Sequence, residues 1–434
     1  MDEYLKLLLE QIRCTKARPY IKQELQDHME DQIAENMKAG MDHEQAEKEA
    51  VRDMGDPVET GISLDSIHRP QAAWKLLGMI IFISIAGVLI HAGISGKASE
   101  NAVAGSDRYV FHVMIGLAVM MILYLLDYTV LAKFSKIIAA VLLSACLLVI
   151  LEGGQVNGAR IFISLPGGRR GMDVQKLMLF YVPIYGAILW LIAPVILVYS
   201  LPALRTACVM LVTMLTMLTI AIKKDWFTVR KKRTICGIWA VFLTAPIAAF
   251  LGMYLRNRLA EYQIARIQAM FSSGSETDYL TKMLHSLWRQ NKLIGKSKSD
   301  VTGILPAFNA DYILTYLSSV YGIIAAILLC CVLAVLIFAV FNTALRQKNQ
   351  LGMMMGCGCG IVFLISFLIN VLENLGVFPQ SITFLPFFSA GGSCIIVSYG
   401  LMGIVLSTYR YKNIYPRHPE TGFMSINSKV KKVS

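Results

Sequence analysis

Two regimes of polar and apolar positions divide this chain near residue 70. Before it, apolar residues recur on a helical period: Tyr4, Leu7, Leu8 and Ile12 share one face of a first helix. A second helix is predicted over about Pro19–Ala39, ending at Gly40, and a third over Asp42–Asp53, opening on an N-cap aspartate and closing at Gly55. Asp56-Pro57 starts a last short helix. After residue 70 the pattern changes to long apolar runs broken by short polar segments, each run near the length that crosses a bilayer as a helix. Spans are predicted near 73–95, 109–131, 135–152, 234–254, 311–341, 351–375 and 384–408. Residues 177–222 are interrupted by Pro183, Pro194 and Pro202; they read as a short, tilted pair before Pro202 and one full span after it. The expected fold is an all-α polytopic membrane protein of about ten transmembrane helices with a small N-terminal cytoplasmic helical domain.

Charge orients this arrangement. Lys223, Lys224, Arg230, Lys231, Lys232 and Arg233 face a single Asp225, and so dense a basic cluster belongs on the cytoplasmic side. Lys133 with Lys136, Arg346 with Lys348, and the basic tail 411–434 fall on the same side, which places both termini in the cytoplasm of a multi-pass cell-membrane protein. The segment after Glu152 and a loop over about 256–310 are then outside. Within that loop, about 276–292 can form an amphipathic helix lying on the membrane, with Tyr279, Met283, Leu284 and Leu287 on its apolar face.

Composition agrees: the 434 residues are 56% hydrophobic. Residues 1–70 hold nine Lys and Arg against sixteen Asp and Glu, a net −7, so the remainder carries +19 of a chain whose total is +12. No compact basic domain stands free of the membrane, which excludes nucleic acid as a partner. The nine cysteines are scattered, most of them through apolar runs, and Cys357-Gly-Cys359 lacks the spacing and histidines of a zinc site, so neither a metal centre nor a disulfide framework is expected. The acidic head, 1–70, resembles the short helical prefix domains found before some Gram-positive permease-like proteins, and protein contact or regulation is its expected role.

Three places carry candidate chemistry. Asp311 sits where the outer loop runs into an apolar helix, just after Pro306 and Asn309. It is either a helix cap or a carboxylate exposed to an outer cavity. Arg160, Arg169, Arg170 and Lys176 place positive charge on the outer face, against the usual trend, and point to an anionic ligand. Asn370, Glu373 and Asn374 lie within one turn near the outer end of a span, where polar groups are costly.

Four segments, in order, resemble the SEDS family, the FtsW/RodA/SpoVE group of cell-wall polymerases. Asn157-Gly158-Ala159-Arg160 is similar to the family's NGARRW loop, and Pro202 with Thr206-Ala207 to its PDLGTA segment. Leu305-Pro306 with Ala310-Asp311-Tyr312-Ile313 is similar to LPExxTDFIF, and Leu385-Pro386-Phe387-Phe388-Ser389-Ala390-Gly391-Gly392-Ser393 to LPFISYGGSS. The chain departs at Ile161 (an arginine in the family), Ala203 (aspartate), Ser318-Ser319 (an acidic pair) and Ala390 (tyrosine).

The resemblance implies a transmembrane domain over about 71–410 that polymerises lipid II into glycan strands at the outer face, with a class B penicillin-binding protein as partner. It makes Asp311 the base that takes a proton from the attacking sugar hydroxyl. Arg160 and Asn157, with Arg256, Arg258, Lys296 and Ser393, become the expected substrate contacts, the cations meeting the leaving pyrophosphate. Gly158, Pro306, Pro386, Gly391, Gly392 and Asn370 are expected to shape the groove. No redox cofactor is needed; a divalent cation on the pyrophosphate is compatible with this chemistry, with no ligand set in the sequence to hold one. Two alternatives stay open: translocation of lipid II, and a catalytically silent scaffold of the cell-wall machinery. Division, elongation and sporulation are equally compatible with these residues.

Overall fold

The computed structural model describes residues 1–95, 100–152, 154–156, 159–162, 173–184, 204–224, 226–227, 229–255, 276–297, 301, 305, 308–377 and 384–415. The head is four helices, α1 (Asp2–Gln11), α2 (Arg18–Lys38), α3 (His43–Asp53) and α4 (Pro57–His68). Tyr4, Leu8 and Ile12 are buried with Leu5, Ile21 and Met29, whereas Leu7 is exposed. Asp56 caps α4 by accepting the Glu59 N–H.

The body follows as α5 (Trp74–Ser95), α6 (Glu100–Leu125), α7 (Tyr128–Lys133), α8 (Ser135–Glu152), short pieces α9 (Val174–Leu177) and α10 (Tyr181–Ile184), then α11 (Leu204–Lys223) and α12 (Lys231–Leu255). After these come α13 (Glu276–Gln290), α14 (Ile313–Val320), α15 (Ile323–Leu345), α16 (Gln350–Asn374) and α17 (Gly392–Arg410). Among the described residues, five helices are long and apolar enough to cross a membrane: Trp74–Ile94, Asp107–Leu125, Ile323–Leu345, Gln350–Asn374 and Gly392–Arg410. The protein is an all-α, multi-pass membrane protein. Helices α8, α11 and α12 coincide with three more of the expected spans; the expected hairpin before Pro202 falls mostly on 185–203, outside the described residues.

Burial ranks the helices. Across their apolar windows α17 is 83% and α16 67% buried, against 33% or less for α5, α6 and α15. Thus α16 and α17 form the core, and the others present apolar side chains outward, as lipid requires. Helices α6 and α17 approach closely because Gly403 has no side chain: a Cβ there would lie 2.7 Å from the Met120 carbonyl oxygen.

Four expectations are corrected. The span read over 109–131 ends at Leu125, and Asp127 then caps the short helix α7 by accepting the Thr129 N–H at 3.0 Å. The run 311–341 is two helices, because Gly322 takes φ +105°, outside the helical region. The span read from 384 starts as helix only at Gly392. Finally, a small antiparallel hairpin, β1 (Gly154–Val156) with β2 (Ala159–Phe162), pairs Val156 with Ala159 and Gln155 with Arg160. Asn157-Gly158 separates the strands, and Asn-Gly between two strands is the strongest short-range hairpin signal.

The head docks on one end of the body. Lys16 Nζ lies 2.9 Å from Asp127 Oδ2, a carboxylate only 1% exposed, and Tyr415 Oη donates to the same oxygen. Further bonds join His68 Nδ1 to the Asn413 carbonyl (2.6 Å) and the Gln71 N–H to the Arg410 carbonyl (3.0 Å).

Candidate functional site

Three consecutive carbonyls before α14 are each held by another element. Asn309 O accepts the Ala390 N–H at 3.1 Å, and Ala310 O accepts Ser389 Oγ at 2.8 Å. Asp311 O accepts two donors at 3.0 Å, Asn370 Nδ2 and Asn374 Nδ2, both from α16. Asn374 Oδ1 also accepts the Thr315 N–H (3.1 Å) and Thr315 Oγ1 (2.9 Å), so one α16 side chain anchors both Asp311 and the first turn of α14. The cap residue of α14 is Tyr312, without a side-chain cap bond. Asp311 is therefore not the N-cap: its backbone is fixed by neighbours, and its half-buried side chain stands ahead of the helix.

The partner segment, 384–391, is equally constrained. Ser389 Oγ accepts the Leu385 N–H at 2.7 Å while donating to Ala310 O. Phe387 adopts φ +69°, unfavourable for a bulky side chain. Its carbonyl accepts Tyr109 Oη at 2.8 Å, and the next carbonyl, of Phe388, pairs with His91 Nε2 at 2.8 Å. Helices α5 and α6 thus hold the strained turn that in turn holds the Asp311 segment.

A half-buried cation completes the site. Lys176 Nζ donates to Cys394 Sγ at 3.0 Å and lies 3.5 Å from Asp173 Oδ2. The Asp173 N–H donates to Ser393 Oγ at 2.8 Å, which ties α9 to the start of α17. Burial disfavours the charge on Lys176, but the Cys394 sulfur and the Asp173 and Asp311 carboxylates outweigh it and hold the ammonium above the usual lysine range. Asp311 is thereby placed within electrostatic reach of a lysine 135 positions earlier.

Of the residues expected at the site, Asp311, Asn370, Ser393, Pro386, Gly391 and Gly392 converge here. A Cβ on Gly392 would lie 2.8 Å from His112 Nε2, so a side chain at 392 would have to displace the imidazole that α6 sets against the start of α17. Lys296 is exposed on the segment whose backbone pairs with 319–324, at the other end of α14, and does not join the cluster. Arg160 lies in β2, its side chain outside the described set; Asn157, Gly158, Arg256, Arg258 and Pro306 lie outside the described residues.

The helix expected to lie on the membrane, α13, instead buries Leu284 and Leu287 against Val301, Leu305 and Tyr312. Trp288 Nε1 donates to the Asn374 carbonyl at 2.7 Å. Ser318 and Ser319, at the positions of the family's acidic pair, are buried and bonded to Asn291. Sequence reasoning passed over Asp173, Ser389, Tyr109 and His91, and counted Lys176 only as one outer cation; Asp173 and Lys176 at i, i+3 were the available signal. Among the described residues no three His, Cys, Asp or Glu converge as metal ligands.

Comparison with known proteins follows the same lines. The profile of a family described as cell cycle protein, of FtsW, RodA and SpoVE, matches residues 175–414. A probable peptidoglycan glycosyltransferase FtsW of Enterococcus hirae is 25% identical over 366 residues, covering 77% of this chain and 91% of the relative. The protein of the same description from Trichlorobacter lovleyi is 22% identical over 362 residues, covering 76% and 91%. Among solved structures, one chain of a peptidoglycan synthase complex that coordinates polymerization and crosslinking superposes with TM-score 0.63 at 18% identity, covering 78% of this chain and 98% of that one. The rod shape determining protein RodA of Thermus thermophilus gives 0.54 at 17% identity, covering 79% and 97%. At these identities the structural likeness establishes the fold.

Proposed function

The chain belongs to the FtsW/RodA/SpoVE family, and from that premise we propose that it is a peptidoglycan glycosyltransferase that polymerises lipid II at the outer face of the cell membrane. The observation that carries this reading is the placement of Asp311, on a segment whose three consecutive carbonyls accept four hydrogen bonds, within electrostatic reach of the half-buried ammonium of Lys176. A sugar hydroxyl is a weak nucleophile until a positioned acceptor takes its proton. In this reaction the hydroxyl oxygen bonds to the anomeric carbon of the donor sugar, the carbon–oxygen bond to the lipid diphosphate breaks, and the proton passes to Asp311. Charge gathers on the departing diphosphate, where fixed cations stabilise it most. Lys176 and Arg160 are the cations proposed for it, with Arg256 and Arg258 from the outer loop. A divalent cation, where one takes part, arrives on the diphosphate as part of the substrate.

The basic cluster 223–233 and the basic tail orient the termini and the head toward the cytoplasm, which leaves Asp311 outside. A crosslinking enzyme of the class B penicillin-binding type is the proposed partner, and the solved synthase complex supports that pairing. The decisive experiment is polymerisation of purified lipid II by the full chain and by Asp311→Ala. Loss of product by a factor of 100 or more, with unchanged thermal stability, is expected. Equal glycan yield removes Asp311 as the base; complementation of a deletion strain by Asp311→Ala shifts the reading to a scaffold.

A further inference from the structure

Lys223 ends α11, and Lys231 begins α12 a short connection later. Between them lies a cleft of about 770 Å³, walled by Ile235, Cys236, Trp239, Ala240 and Leu243, with Lys223, Lys231 and Lys232 at its mouth. Ile235, Trp239 and Leu243 recur every four residues and so line one continuous strip of α12. Trp239 Nε1 donates to Thr219 Oγ1 at 3.0 Å, which pins the ring across the cleft. Leu243 is 61% exposed, so this wall faces hydrocarbon in a membrane. The accessible lining is almost entirely carbon and sulfur, and the three lysines bring positive charge to the end where the two helices are joined.

We propose that this cleft seats an anionic phospholipid of the cytoplasmic leaflet, with its phosphate between the three lysines and an acyl chain along the Ile235–Trp239–Leu243 strip. The charge pattern selects this occupant. A purely apolar groove takes any acyl chain, but three ammonium groups at the leaflet boundary favour a headgroup with net negative charge over a zwitterionic one. The segment 223–233 carries six basic residues against Asp225, so the local field is positive beyond the lining residues as well. The leaflet assignment rests on the orientation proposed above; the preference for an anionic headgroup does not.

The test uses the full-length protein in nanodiscs made with phosphatidylglycerol or phosphatidylcholine brominated on the acyl chains. The readout is the part of tryptophan emission that Trp239→Phe removes. Brominated phosphatidylglycerol is expected to quench it at a mole fraction roughly 10- to 100-fold lower than phosphatidylcholine does. The triple variant Lys223→Gln/Lys231→Gln/Lys232→Gln erases that difference, whereas Arg230→Gln/Arg233→Gln, beside the cleft but not lining it, keeps it. Equal quenching by both lipids in the native protein, a preference that survives the triple variant, or one erased equally by the arginine pair, overturns the proposal. Separately, a membrane-impermeant thiol reagent applied to right-side-out vesicles reports on Lys231→Cys. Labelling from outside overturns the leaflet assignment and the orientation behind it, and leaves the quenching result standing.

Discussion

Asn374 Nδ2 lies 3.0 Å from the main-chain carbonyl of Asp311, and its Oδ1 lies 3.1 Å from the Thr315 N–H. One buried amide therefore spans the junction between a loop and a helix, using both ends of its side chain. Asn370 repeats the first bond from one turn earlier on α16. Asn374→Ala leaves a carbonyl short of a donor and a helix N–H without its acceptor in a buried site, at a cost of about 1–3 kcal/mol. The Asp311 carboxylate survives this change, but the backbone that aims it does not. Polymerisation is expected to fall by one to two orders of magnitude, because misplacement of about 1 Å can cost roughly 100-fold. Thermal unfolding in detergent and lipid II turnover together check this; a variant of native stability and full turnover shows that the amide does not hold Asp311 in place.

Lys176 leads to a pH prediction. Its ammonium is held above the usual lysine range because Cys394, Asp173 and Asp311 overcome the effect of burial. A folded-state value raised in this way contributes stability fully below the ordinary lysine value of about 10.4, and loses it as pH rises through the higher folded value. Lys176→Met removes the ammonium that lies 3.5 Å from Asp173 and within electrostatic reach of Asp311, and is expected to destabilise by about 3 kcal/mol. The melting-temperature gap between native and variant protein should stay constant from about pH 6 to about pH 9 and close only above about pH 10.4. A gap that shrinks on acidification toward pH 6 instead assigns the effect to a carboxylate. Lys176→Arg keeps the charge and should recover most of the stability, but not the contact with Cys394 Sγ, since the guanidinium is broader.

The contrast between what the residues announced and what they concealed follows from range. Local signals were legible: Asp56 caps α4, and α16 begins and ends within a residue of its apolar run. Asn370 and Asn374 stood out as polar groups inside a span, yet nothing near them in sequence names the carbonyl some sixty positions away that they hold. Lys176 read as one exposed cation among four because its partner Cys394, like the Ser393 that holds Asp173, sits at the head of α17 and reaches it only through the fold. The break at Gly322 was hidden because apolar residues continue on both sides of it, and hydropathy carries no record of a dihedral angle. The Asn157-Gly158 hairpin was legible and was passed over in favour of its arginine.

The docking of the head predicts strong non-additivity. Asp127 is 1% exposed while its partner Lys16 is 49% exposed, so removing the lysine strands a buried charge, whereas neutralising the aspartate leaves a lysine that water can solvate. Asp127→Asn keeps its one oxygen for the Thr129 N–H and turns an amide N–H toward Tyr415 Oη, which accepts it in place of donating. Lys16→Met is therefore expected to be the more harmful single change, and Lys16→Met/Asp127→Asn to be milder than the sum of the two by at least about 1 kcal/mol. Limited proteolysis at 69–73, which joins head to body, gives an independent reading: cleavage should accelerate in Lys16→Met and return toward native in the double variant. Additive effects show that the two side chains do not act as a pair.

Gly322 supplies the sharpest structural prediction. It takes φ +105° between α14 and α15, and a Cβ there would lie 2.5 Å from Leu293 O and 2.7 Å from the Ile294 Cα. Both obstacles are backbone, so no side-chain rotation relieves them. The segment that supplies them is bonded on either side of the joint: Gly295 N–H to Tyr321 O at 3.1 Å, Ser297 N–H to Ser319 O at 2.7 Å, and Ile323 N–H to Lys292 O at 3.0 Å. Gly322→Ala must therefore bear a left-handed backbone at about 1–2 kcal/mol and also displace 292–297 from α14. Because α14 begins just after Asp311, the displacement reaches the site through eight residues of rigid helix. A loss of about 3 kcal/mol or more in stability is expected, with faster hydrogen exchange at the amides of Gly295, Ser297 and Ile323. Protection at those three amides equal to that of the native protein shows that the joint accommodates a side chain and that the angle at Gly322 is not what separates the two helices.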